Sequence, residues 1–99
     1  MSPPEGFEAA VVAVLESLKT GDVVTYGEIA VEAGFPGAAR AVGNLLKRTD
    51  IPLPWWRVVN AAGRLTPRAE AEQRRRLEAE GVVFTRSGRV ALDARQGAS

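Results

Sequence analysis

Trp55 and Trp56 are adjacent, held between prolines at 52 and 54 and the run Arg57, Val58, Val59, and this is the most unusual stretch of the chain. Flat aromatic faces beside cations suit a platform on which a nucleic-acid base stacks. In a strand, neighbouring side chains point to opposite faces, so one indole would line the core while the other faced a cavity or solvent. Both indoles can also serve as core filler. Arg40 is the second candidate, a long cation planted among Ala38, Ala39, Ala41 and Gly43, from which it can reach into a groove. The same small residues equally suit close packing of helix on helix. Tyr26 can contact a phosphate from the same side or cover the core as a half-buried ring. Cys and His are absent altogether, which removes thiolate nucleophiles, imidazole bases, disulfides and the usual zinc ligands. Ser17 and Ser87 are the only serines in the expected folded region, and neither adjoins the tryptophans in the proposed arrangement, so an enzyme working through another nucleophile carries little weight. No cofactor and no metal are expected.

Elements must hold these residues. Pro3 and Pro4 precede Phe7, Val11, Val14, Leu15 and Leu18, whose spacing marks one face of a helix running from about Glu5 to Leu18. Gly21 and Asp22 break it, and Val23 and Val24 make a short extended link. Thr25, with Glu28 three residues on, forms a capping box that starts a short second helix. Gly34 suits its C-terminal cap, Pro36 suits the start of a third helix, and Ala39, Val42, Leu45 and Leu46 mark that helix's buried stripe. Thr25 to Arg48 is therefore a helix-turn-helix candidate. Trp55 to Val59 reads as a strand, Asn60 to Gly63 as a turn, and Thr66 with Pro67 as the opening of a fourth helix reaching about Glu80 and closed by Gly81. Val82 to Phe84 and Val90 to Leu92 flank Arg86 to Arg89 as a hairpin.

A chain of 99 residues suits one domain, 1–99, and its hydrophobic fraction of 45% and charged fraction of 25% fit a self-folding globule. The expected fold class is mainly α with small β, a winged helix-turn-helix domain with a frayed tail over about 94–99. No apolar run is long enough to span a membrane, and the acidic N-terminus lacks a basic leader, so a cytoplasmic monomer is expected. Charge is unevenly spread. Residues 1–33 hold six acids against Lys19, a net of minus five, whereas residues 34–76 hold nine basic residues against three acids, a net of plus six. The basic middle is mostly arginine, which favours phosphate forks and stacking on bases over a merely solvated face.

Thr25, Tyr26, Gly27, Glu28, then Ala38 to Gly43, then Pro54, Trp55, Trp56, Arg57, Val58, Val59 resemble, in order and spacing, the DNA-binding domain of the O6-alkylguanine-DNA alkyltransferases. The resemblance continues through Leu77 to Gly81 and covers about Phe7 to Leu92; the transferases' separate N-terminal domain is not expected. In that family the third motif reads Pro-Cys-His-Arg-Val, with an acceptor cysteine and a relay histidine. Trp55 at the cysteine position is the mark of the alkyltransferase-like proteins, while Trp56 departs from both groups, which usually keep the histidine. Glu80 matches the carboxylate that supports that histidine, reduced here to a structural remnant.

The resemblance implies a non-enzymatic sensor that binds double-stranded DNA containing O6-alkylguanine and directs it to nucleotide excision repair proteins. It gives Arg40 the place of the extruded nucleotide and Tyr26 the role of pressing on the phosphate. The helix with Ala38, Ala39 and Gly43 would lie in the minor groove. Pro54, Trp55 and Trp56 would line the lesion pocket, and Arg68 would sit over the purine, a cation–π contact of roughly 0.5–2 kcal/mol. The rival is a winged helix-turn-helix transcriptional regulator without lesion specificity. It would need polar side chains on the recognition helix, where Ala38, Ala39, Ala41 and Gly43 offer few.

Overall fold

The computed structural model describes residues 6–94. Its first helix, α1, is Phe7–Glu16, and the predicted face is the buried one, through Phe7, Val11 and Leu15. The helix stops two residues before the expected Leu18, as the Ser17 hydroxyl donates to the Val14 carbonyl and occupies an acceptor of the last turn. The expected start at Glu5 and the tail beyond Ala94 lie outside the described residues.

Thr25 caps α2 (Tyr26–Glu32) as the sequence demands: its hydroxyl accepts from the Glu28 amide, and the Glu28 carboxylate accepts from the Thr25 amide. Gly34, at φ +93°, ends the helix, with the Phe35 amide bonded back to the Ala30 carbonyl at 2.8 Å. The next helix, α3 (Ala39–Arg48), begins later than Pro36 suggests. Gly37 takes φ +89° and the Ala38 amide donates to the Phe35 carbonyl, so Pro36 sits inside a turn and Ala38 is the N-cap. Val42 and Leu45 are buried on α3, whereas Ala39 and Leu46 of the predicted stripe are only half-buried.

The sheet is a parallel pair. β1 (Val24–Thr25) runs beside β2 (Val58–Val59), with Val24 opposite Val58 and Thr25 opposite Val59. Parallel neighbours need a long crossover, and the α2–α3 hairpin supplies it. Alternation along β2 then splits the core: Val58 joins Phe7, Val11, Leu15, Ile29, Val42 and Leu45, while Val59 joins Val23, Leu65, Leu77 and Val90. One two-residue strand is the seam between both halves.

The predicted strand over Trp55–Val59 forms only at Val58 and Val59. Pro54, at φ −75° and ψ 62°, centres an inverse γ-turn in which the Trp55 amide donates to the Leu53 carbonyl at 2.7 Å, and Trp55–Arg57 continue as a 3-10 turn. Pro67–Ala69 form a second 3-10 turn leading into α4 (Glu70–Ala79), which Gly81 closes at φ +86°. The predicted hairpin is reduced to one antiparallel bridge, Phe84 with Val90.

Candidate nucleic-acid interface

The 3-10 turn alters how the tryptophans are presented. They do not point to opposite faces; their rings meet edge to face at 6.2 Å, with planes 89° apart. Both border one open groove of about 380 Å³, whose other walls include Leu46, Ile51, Leu53 and Arg76. Trp56 also packs against the half-core beneath α4. The Arg76 guanidinium lies 4.6 Å from the Trp56 ring centroid and that of Arg57 lies 5.3 Å away, so the indole is held by cations as well as by apolar contacts.

Beneath Trp56 lies a polar cluster that the sequence reading undervalued. The indole Nε1–H donates to Glu80 Oε2 at 2.8 Å. Arg57 forks onto the same carboxylate, Nε at 3.0 Å to Oε1 and Nη2 at 2.9 Å to Oε2, and the pair is only 12% exposed on each side. The Gly21 amide completes the set, donating to Oε1 at 2.8 Å, while Arg57 Nη1 donates to the Leu18 carbonyl at 3.2 Å. Burial pushes the Glu80 carboxyl up, but hydrogen bonds from Arg57, Gly21 and Trp56, with the Arg57 charge, outweigh it and hold the carboxyl below the usual glutamate range. Glu80 thus ties the α1–β1 loop, the tryptophan turn and the end of α4 together. It is a working part of the present fold. Arg57, although named in the motif, gave no sign of this in sequence beyond being a basic residue next to an aromatic.

Gln73 was also missed. Fully buried on α4, it donates from Nε2 to the Trp56 and Val58 carbonyls, at 3.2 and 2.9 Å, and accepts from the Thr66 amide at 2.7 Å. A glutamine flanked by charged residues looks like helix surface, and only the tertiary fold shows it satisfying carbonyls next to a two-residue strand.

Arg40 is exposed on the first turn of α3 and its side chain makes no hydrogen bond or ion pair among the described residues. Ala38 and Ala39 beside it are half-buried, and Ala38 packs on the core. Gly43 faces inward to Tyr26: a Cβ there would stand 3.8 Å from the tyrosine ring, so the missing side chain seats Tyr26 against α3. Tyr26 and Gly43 are therefore neighbours, and the ring is half-buried over the core. Pro54 sets the tryptophan turn, while Arg68 sits exposed on the 3-10 turn before α4; neither is among the groove-lining residues. Of the basic middle, Arg57, Arg74 and Arg76 pair with Glu80, Glu78 and Glu72, which leaves Arg40, Lys47, Arg48, Arg64, Arg68 and Arg75 exposed without an ion pair among the described residues, Arg48 donating only to the Asn44 carbonyl. Ser17 ends α1 and Ser87 lies in the hairpin turn, bonded to Thr85; neither lines the tryptophan groove.

Residues 6–82 match the family model for the 6-O-methylguanine DNA methyltransferase, DNA binding domain. A DNA base-flipping protein of Vibrio parahaemolyticus is 40% identical over 92 residues, covering 87% of this chain and 90% of its own. The crystal structure of S. pombe Atl1 in complex with damaged DNA containing O6-carboxymethylguanine superposes with a TM-score of 0.73 at 35% identity, covering 90% of each chain. Mycobacterium tuberculosis OGT in complex with DNA superposes with a TM-score of 0.67 at 35% identity, over 80% of this chain and 51% of that one.

Proposed function

Because the chain belongs to the family of the 6-O-methylguanine DNA methyltransferase DNA-binding domain, with alkyltransferase-like and base-flipping proteins among its relatives, we propose that it senses O6-alkylguanine in double-stranded DNA without repairing it. One observation carries the reading: the Trp56 indole N–H occupies the Glu80 carboxylate that the relay histidine would use. An indole donates but has no basic nitrogen to accept a proton, so the dyad can position a ring and cannot relay a proton. Trp55, at the position of the acceptor cysteine, offers no nucleophile.

In this account Arg40, exposed and without a partner among the described residues, enters the base stack from the minor groove while Tyr26 presses on the phosphate beside the lesion. Ala38 and Ala39 allow the close approach, and the expelled nucleotide meets Trp55 in the tryptophan groove, with Arg68 closing over the purine from the neighbouring turn. Extrusion costs a few kcal/mol and less for a badly paired base, so the duplex itself supplies part of the selectivity. Burying the alkyl group against apolar walls adds about 0.8 kcal/mol per CH₂. The protein acts as a monomer in the cytoplasm and presents the lesion to nucleotide excision repair proteins; among the described residues no helix is long and apolar enough to cross a membrane. Incubation with duplex carrying a radiolabelled O6-methyl group tests the chemistry: the label stays on DNA, and stoichiometric transfer to protein would refute the proposal.

A further inference from the structure

The tryptophan groove is apolar on most sides, and apolar walls alone would rank adducts only by how much alkyl surface they bury. Arg76 breaks that uniformity. It lies on the last turn of α4, lines the groove, and stacks its guanidinium 4.6 Å from the Trp56 ring centroid. Its position is fixed from the other side by Glu72 one turn earlier, whose Oε2 accepts from Nε at 3.1 Å and pairs with Nη2 at 3.0 Å. Those contacts engage two of the five N–H groups an arginine carries, leaving three donors on a cation held at the groove wall.

Arg57, the other cation beside Trp56, has no such freedom, because its fork is spent on Glu80 and the Leu18 carbonyl. The Arg76–Glu72 pair is also 44% and 45% exposed, so solvent screens it and it opposes a competing carboxylate only weakly. We propose that Arg76 makes this groove selective by charge, favouring O6-alkylguanines whose substituent ends in a carboxylate over neutral alkyl adducts. The inference rests on the reading of the groove as the lesion pocket. A carboxylate at the end of a short alkyl arm would take the free edge of the guanidinium, while the methylene lies against the indoles.

Duplexes identical except for an O6-carboxymethylguanine, an O6-methylguanine or an unmodified guanine separate the possibilities. The wild-type protein is expected to bind the carboxymethyl duplex roughly threefold to tenfold more tightly than the methyl duplex, as suits a charge-assisted contact at a half-exposed site. Arg76→Gln should bring that ratio to near one, the carboxymethyl duplex losing more affinity than the methyl duplex. Arg75→Gln removes the same charge from the neighbouring exposed position and should preserve the ratio. If Arg76→Gln weakens both lesion duplexes by the same factor, or the wild-type ratio is already one, Arg76 does not read the adduct. If neither lesion is preferred over unmodified duplex, the pocket reading beneath the proposal fails instead.

Discussion

At the scale of single residues, Glu80 organises more of the site than any other side chain. Donors from three residues in two segments, Gly21 in the α1–β1 loop and Trp56 and Arg57 in the tryptophan turn, converge on its two oxygens and together favour the ionised form. Its carboxyl is held below its unfolded value, so the stability it contributes is present at neutral pH and is lost as pH falls through the ordinary carboxylate range toward the lowered folded value. Glu80→Gln should therefore destabilise the protein by about 1–3 kcal/mol at pH 7, and the gap to wild type should narrow as the pH is lowered. Urea melts at several pH values check this, and a gap that stays constant into acid would contradict the ionised role. The relevant contacts were half-legible in sequence. The motif resemblance pointed to Glu80 as a carboxylate without a histidine to support, and only the geometry shows that the Trp56 indole donates to it.

At the scale of elements, legibility followed the length of the signal. Thr25 with Glu28, Gly34 and Gly81 act through local chemistry and sit where the sequence placed them. The α1 stripe is long enough to show its period. Two-residue strands have no period to show, so the parallel β1–β2 pairing leaves no mark in the sequence, and the Trp55–Arg57 turn reads as extended because β-branched and aromatic residues favour strands. There the local constraint won: Pro54 already held the inverse γ-turn that coils the chain. The α2–α3 contact gives a further prediction, since Gly43 lies within a helix and a methyl there would only touch Tyr26 at ordinary distance. Gly43→Ala should raise stability by about 0.5–1 kcal/mol through helix propensity, as a thermal melt would show. Gly43→Leu, which must displace the Tyr26 ring, should lower DNA affinity; unchanged affinity would mean that the seating of Tyr26 is irrelevant to binding.

At the scale of the whole molecule, the near-neutral total conceals cations left over after internal pairing. Arg40, Lys47, Arg48, Arg64, Arg68 and Arg75 stay exposed without an ion pair among the described residues, against an acidic N-terminal third. If four or five of them meet phosphates, the logarithm of DNA affinity should fall with the logarithm of salt at a slope of roughly −3 to −5, and a flat response would remove the basic middle from the interface. Such binding attracts any duplex, however, and the central claim is lesion selectivity through nucleotide extrusion. The most direct measurement is a titration of one duplex with and without a single O6-methylguanine, using wild-type protein and Arg40→Ala. Wild type should prefer the lesion duplex, and Arg40→Ala should weaken that binding by about 1–3 kcal/mol as the stack loses its filler. Equal affinity for both duplexes, or a lesion affinity indifferent to Arg40, would contradict the account.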